Sequence, residues 1–210
     1  MQKLSIRLSS VAALVKQDAA IADIGTDHGY IPVYLAEKKV IKSAVASDIN
    51  EGPLNSCISL VKEKGFENII RTKLSNGLDS LDENDFDTII IAGMGGELIF
   101  DILSRHSYVK DKHIILQPMT HPEVARKFLY DNGFEIKNDI IVKDGRHYYN
   151  VFDAYYTGKI IPKSRVDYFI GNIRDFSNKE YFEHLLNYFK NKSKSGEDYS
   201  DIISALEIII

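Results

Sequence analysis

Five short apolar runs set the main limit on what this chain can fold into. AIADI (20–24) reads as a short buried strand, and SAVASD (43–48), the stretch at 69–74, DTIIIA (87–92) and HIILQ (113–117) read as further strands. Helical spacing fills most of the intervals between them. Leu4, Leu8, Val11 and Val15 fall on one stripe and predict a helix over 4–16. Pro32 stands in the first turn of a helix over 30–38, where proline is tolerated. Pro53 opens a helix whose Leu54, Cys57, Ile58 and Val61 share a face, and Gly65 closes it. Gly93–Met94–Gly95–Gly96 leads into a helix ending near 104. Thr120 and Glu123 read as a capping box for a helix that carries Val124, Phe128 and Leu129 and stops at Gly133. Alternation of this kind predicts an α/β fold, a parallel sheet with helices on both faces.

The rhythm then changes. FEIKNDIIVK (134–143) and HYYNVFDAYY (147–156) are long strands around Asp144–Gly145, a hairpin signal that adds an antiparallel pair to the sheet. In outline this resembles the Rossmann-like class I methyltransferases, whereas a dinucleotide-binding fold continues with parallel units. From 163 onward the pattern is helical. Val166, Phe169, Ile170, Ile173 and Phe176 suit one amphipathic helix, Tyr181, Phe182, Leu185, Leu186 and Phe189 a second, and Tyr199, Ile202, Ile203 and Leu206 a third. The expected division is a Rossmann-like catalytic domain over 1–158 and a helical or coiled-coil appendage over 159–210.

The glycine turn after the first strand, AIADIGTDHGYIP (20–32), holds more polar chemistry than a turn requires. Ligands of open α/β sheets bind beyond the carboxyl ends of the strands, where Asp23, Gly25, Asp27, His28 and Gly29 fall. The spacing is DxGxxxG. Carboxylates would repel a pyrophosphate, whereas Asp23 and Asp27 would attract an ammonium or a sulfonium. S-adenosylmethionine carries both and has no phosphate. Asp48, closing the second strand, stands where a carboxylate could accept from ribose hydroxyls. Asn76–Gly77 follows the third strand and could flank an adenine edge. The alternative for each acid is a helix cap. The three glycines around Met94 point to bare backbone; strand-on-helix packing would explain one of them, not three.

Composition narrows the function classes. One cysteine, Cys57, permits no internal disulfide and no cysteine metal cluster, and no metal is expected. No apolar run reaches bilayer length, and the first residues lack the apolar core of a signal peptide, so a cytoplasmic protein with no membrane partner is expected. A monomer is the simplest state. Net charge is −4, yet residues 159–194 carry eight Lys/Arg against four acids. That excess suits either an RNA contact through residues such as Lys190, Lys192 and Lys194, or a solvated helix face.

Taken together, RLSSVAALV (7–15), DIGTDHGYIP (23–32), Asp48, NGL (76–78), AGMGG (92–96), LQP (116–118) and Arg126 resemble the bacterial tRNA (adenine-22-N1)-methyltransferase family, over about three-quarters of the chain. The resemblance implies S-adenosylmethionine as methyl donor, tRNA as substrate and a C-terminal coiled-coil extension. Two positions depart from the family pattern. Asn76 stands where a carboxylate is expected, and Met119 where an asparagine is expected after LQP.

With that cofactor, Asp23, Gly25, Asp27, Gly29, Asp48, Asn76, Gly77, Gly93, Met94 and Gly95 are the expected binding residues. Adenine N1 has its own lone pair and its methylated product is a cation, so the site needs alignment and negative potential more than a strong base. Asp27 is the first candidate for that role and His28 the second; His28 could equally be a helix-start residue bonded to backbone. Tyr30 could stack on substrate or belong to the core. Gly96 would give the base access, and Arg7 and Arg126 could reach substrate. Two other classes of function stay open: a methyltransferase acting on a small molecule or protein, and a non-catalytic module binding S-adenosylmethionine or RNA.

Overall fold

The computed structural model describes residues 2–171, 173 and 178–210. Strands β1 (Ala19–Ile24), β2 (Ile41–Asp48), β3 (Ile70–Leu74), β4 (Thr88–Gly95) and β5 (His113–Thr120) run parallel. Strands β6 (Phe134–Asp144) and β7 (His147–Tyr156) form the hairpin, and β7 pairs antiparallel with β5. The seven-stranded order is β3-β2-β1-β4-β5-β7-β6.

Side chains alternate across each strand, so one apolar run feeds two cores. Ile24, Ile89, Ile91, Ile114 and Leu116 face α4 (Gly96–Ser104) and α5 (Pro122–Asp131). Ile21, Ile90 and Ile115 face the opposite core, shared with α1 (Ile6–Ala13), α2 (Tyr30–Glu37) and α3 (Glu51–Lys64). A third cluster lies among α6 (Arg165–Ile170), α7 (Lys179–Ser193) and α8 (Ser200–Ile209), where Phe182, Phe189, Ile202 and Leu206 pack together and Ile141 and Tyr148 of the hairpin join them. At fifteen residues α7 holds about two heptads, too few for a sustained coiled coil, and it folds back against α8 as a short helical hairpin. Phe176 lies outside the described residues.

Three expectations need correction. The capping box at α5 does not form. Thr120 ends β5, His121 is the N-cap in a left-handed conformation (φ 51°), and Pro122 takes the first helical position, so the start is one residue later than Thr120 and Glu123 require. Helix α3 starts at Glu51, ahead of Pro53. Arg126 does not face substrate. Its side chain is fully buried, with Nε and Nη2 each donating to the Asp139 carboxylate at 2.9 Å and Nη1 donating to the Tyr168 carbonyl at 3.1 Å. It ties α5, β6 and α6 together.

The basic excess of 159–194 is matched by the four acids that follow it, so 159–210 holds eight basic and eight acidic residues. Folding brings opposite signs together, as in Arg165–Asp201 and Lys190–Glu207. No helix of the described residues is long and apolar enough to cross a membrane, and no group of three or more potential metal ligands occurs among them.

Candidate functional site

The chain builds β1, β2 and β3 outward to one side, then returns to lay β4 and β5 on the other. The strand order therefore reverses between β1 and β4, and the carboxyl ends diverge there. A cleft of about 470 Å³ opens at this point, within the range of small-molecule sites. Asp23, Gly25, Asp27, Tyr30, Asp48, Asn76, Gly77, Gly93, Met94 and Arg7 all line it.

Three acids line the cleft, Asp23, Asp27 and Asp48. Asp23, near the end of β1, is buried and accepts a hydrogen bond from Thr26 Oγ1 at 2.6 Å. Burial raises its pKa to about 6; the Thr26 hydroxyl opposes the rise and the Asp48 charge adds to it. Asp48 ends β2 and accepts from the Asn50 N–H at 2.9 Å and the Asp27 N–H at 3.3 Å. It thereby ties the two loops that border the cleft. Asp27 adopts a left-handed backbone (φ 53°), uncommon outside glycine and tolerated best by Asp and Asn. Its carboxylate is exposed, 3.5 Å from His28 Nε2. Strain of this kind gathers at functional sites.

The glycines divide. At Gly25 a Cβ would collide with Met94 Cε, so the bare turn lets the Met94 thioether lie across it. Gly29 and Gly96 do not line the cleft: their Cα positions are closed by Cys57 Sγ and the His121 carbonyl oxygen, so both serve packing. Gly95, which caps α4 beside Thr120 Oγ1, does not line it either. For Gly96 this corrects the expected role in base access, because its missing side chain admits the β5–α5 connection. Cys57 is buried, and burial, followed by the nearby Asp23 charge, pushes its thiol up to about 12.

His28 sits outside the cleft, its ring stacked on Tyr30 with centroids 5.2 Å apart. Tyr30 is a rim residue, more than a third exposed, and not core. Lys190, Lys192 and Lys194 lie around the end of α7, outside the cleft. Lys190 pairs with Glu207, Lys192 lies over the Tyr188 ring and Lys194 donates to Asn191 Oδ1.

Sequence reasoning missed Gln117. Fully buried in β5, it accepts through Oε1 from the Gly93 N–H at 3.1 Å and from Arg7 Nη1, and it donates through Nε2 to the Pro118 carbonyl at 2.9 Å. The lone amide inside an apolar strand was the available signal. Ile49 and Leu98 were also missed as cleft residues, and Met119 was read only as a departure from the family pattern. Ile49 follows the end of β2, Leu98 stands in the first turn of α4 and Met119 is the penultimate residue of β5, but apolar side chains carry no motif.

A family model described as a methyltransferase domain matches residues 4–152. The Bacillus subtilis (strain 168) tRNA (adenine(22)-N(1))-methyltransferase is 34% identical over 154 residues, covering 72% of this chain and 65% of that protein. This chain thus spans just under two thirds of that relative. Among solved structures, the Streptococcus pneumoniae protein Sp1610 in complex with S-adenosyl-L-methionine superposes with a TM-score of 0.90 at 30% identity over 99% of both chains. M. capricolum TrmK in complex with S-adenosyl-homocysteine gives a TM-score of 0.83 at 30% identity, over 98% of this chain and 96% of that one.

Proposed function

The chain belongs to the tRNA (adenine-22-N1)-methyltransferase family, and we propose on that premise that it methylates N1 of adenine 22 in tRNA with S-adenosylmethionine as donor. The observation that carries this reading is the acid-lined cleft at the reversal of strand order, closed on one side by the bare Gly93 backbone. When bound, the cofactor supplies an electrophilic methyl that the adenine N1 lone pair accepts without prior deprotonation. The residues present suit it. Asp23 is a buried carboxyl that gains from a neighbouring cation. Asp48 keeps acceptor capacity beside its two backbone donors, as ribose hydroxyls require. Asn76 and Gly77 border the cleft where the adenine of the cofactor would lie.

Asp27 lines the cleft and, in this reading, its carboxylate stabilises the cation that develops on the methylated base. His28, which touches Asp27 but not the cleft, positions that carboxylate. Residues 1–158 form the catalytic unit. Residues 159–210 form a substrate-binding appendage, with Lys192 and Lys194 among its RNA contacts. A transfer assay with labelled donor tests the reading. Unmodified tRNA with adenine at position 22 should accept methyl and the same transcript with guanine there should not. Transfer to a protein or small molecule alone would overturn it, as would cofactor binding with no transfer at all.

A further inference from the structure

Asn76 stands where a carboxylate is expected, and an amide is not equivalent to one. Both oxygens of a carboxylate accept, so its orientation is immaterial. An amide accepts at Oδ1 and donates at Nδ2, and a half turn of the side chain exchanges the two. A neighbouring group settles the choice here. Asn76 Nδ2 donates to Asp79 Oδ2 at 3.1 Å. An ionised carboxylate only accepts, so this contact admits the amide in one orientation and leaves Oδ1 for another partner. Oδ1 has none among the described residues, and Asn76 lines the cleft whereas Asp79 does not. Asp79 is itself held. Arg105, at the end of α4, donates through Nη1 to Oδ2 at 2.9 Å, and His106 Nε2 lies 3.0 Å from Oδ1. The backbone of the turn is fastened by other groups. Ser75 Oγ donates to the Gly77 carbonyl at 2.9 Å and accepts from the Ser80 N–H at 3.1 Å, and the Ser75 N–H donates to the Asp48 carbonyl at 2.9 Å.

We propose that Asp79, braced by Arg105 and His106, is a positioning residue that fixes the Asn76 amide with its oxygen toward the 6-amino group of the cofactor's adenine, and so sets the preference for that base. The inference rests on the reading of Asn76 as a neighbour of the cofactor's adenine and deepens it, by naming what lets an amide stand in for the expected carboxylate. Asp79 acts through Asn76 and touches no ligand. With the amide so held, a 6-amino group meets an acceptor, whereas a 6-oxo group meets a second acceptor and is repelled. Released from Asp79, the amide turns to suit either base. Partly exposed ion pairs such as Asp79–Arg105 contribute little to stability, so the consequence of this one lies in orientation.

The test is calorimetry on the full chain with two probes, S-adenosyl-homocysteine and its inosine analogue, in which a 6-oxo group replaces the amine. Wild type should prefer the adenine compound by about tenfold or more, the scale of one hydrogen bond exchanged for a repulsive contact. Asp79→Ala should shrink that preference to about threefold or less, in part by binding the inosine compound more tightly than wild type does, a gain that damage to the turn does not produce. Asp79→Glu, which keeps a carboxylate acceptor, should retain most of the preference. Wild type with no preference would overturn the proposal, as would an Asp79→Ala variant that binds both compounds more weakly by the same factor, since Asp79 would then serve the turn alone. Asn76→Ala separates the two levels. If it loses the preference while Asp79→Ala keeps it, the positioning role falls and Asn76 stays in the site. If it binds both compounds as wild type does, the reading of Asn76 falls and the proposal with it.

Discussion

Burial holds the Asp23 carboxyl at a pKa of about 6, against an ordinary value of 3.8. A carboxyl raised on folding contributes its stability below its unfolded pKa and loses it as pH rises through the folded value. In the absence of ligand, Asp23 thus destabilises the fold progressively between about pH 4 and 6. Asp23→Asn, which keeps an acceptor for Thr26, is expected to be more stable than wild type at pH 8, by up to about 3 kcal/mol on the scale of the shift. The same variant should bind cofactor more weakly; chemical denaturation and calorimetry measure the two effects, and an unchanged affinity would remove Asp23 from the site. A cationic ligand selects the ionised form, so wild-type affinity should fall about tenfold per unit below pH 6 and level off above about 7. The two other acids divide differently. Asp48→Ala removes the proposed acceptor for ribose and also unties the Asp27 turn, whose N–H donates to the same carboxylate. It should weaken cofactor binding by about 1–3 kcal/mol. Asp27→Asn keeps the left-handed turn and removes only charge, so single-turnover rate on tRNA should drop while cofactor affinity holds. Asp23, Asp27 and Asp48 were legible in the sequence because strand-end acids report on the cleft without knowledge of packing. Gly96 and Gly29 were misread because the atoms that close over them, the His121 carbonyl and Cys57, come from distant parts of the chain.

Elements were easier to read than the contacts that lock them. Strand–helix alternation and Asp144–Gly145 foretold the parallel sheet and its antiparallel hairpin, because both signals are local. The strand order was not foretold, since it depends on which helix covers which face. Arg126 shows the same limit: one arginine in a helix reads as surface until Asp139, on β6, and the Tyr168 carbonyl, on α6, are found around it. Both side chains of this pair are fully buried, so removing one partner should be far worse than replacing both. Arg126→Met is expected to cost about 3–5 kcal/mol in chemical denaturation. Arg126→Met combined with Asp139→Leu should recover much of that loss, since burying two apolar side chains carries no desolvation penalty for charge. Gly171 lies directly on the pair, with Arg126 Cζ 2.7 Å from where a Cβ would stand, so Gly171→Ala should also destabilise the α6 junction. Equal stability of Arg126→Met and wild type would mean that α6 is held by the apolar cluster alone.

Across the whole molecule, charge is arranged differently from the linear order. The basic run at 159–194 reads as an arm for RNA, but the segment that follows it, through α8, returns four acids to the same body, and Glu207 already engages Lys190. Exposed ion pairs contribute little to stability, yet a paired lysine has less to offer a phosphate. That leaves Lys192, which lies over the Tyr188 ring with the Glu197 charge nearby, and Lys194, which donates to Asn191, as the cations around the end of α7 with no direct ion pair among the described residues. Reversing all three lysines would set Glu207 against a like charge and disturb the packing of α7 on α8. The cleaner variant is Lys192→Glu with Lys194→Glu, which spares Lys190. Each phosphate contact adds about 0.7–0.9 to the slope of log affinity against log salt. If both lysines contact phosphate, the slope should fall by about 1–2, tRNA binding should weaken most at low salt, and affinity for S-adenosyl-homocysteine should not change. Arg146 offers the opposing case. It is exposed at the turn between β6 and β7, at the carboxyl end of the sheet where the cleft opens, and it has no ion pair among the described residues. Arg146→Glu with an unaltered α7 therefore separates the two surfaces. A flattened slope for Arg146→Glu and none for the lysine pair would place the RNA over the catalytic unit and leave the appendage as a structural brace on the hairpin.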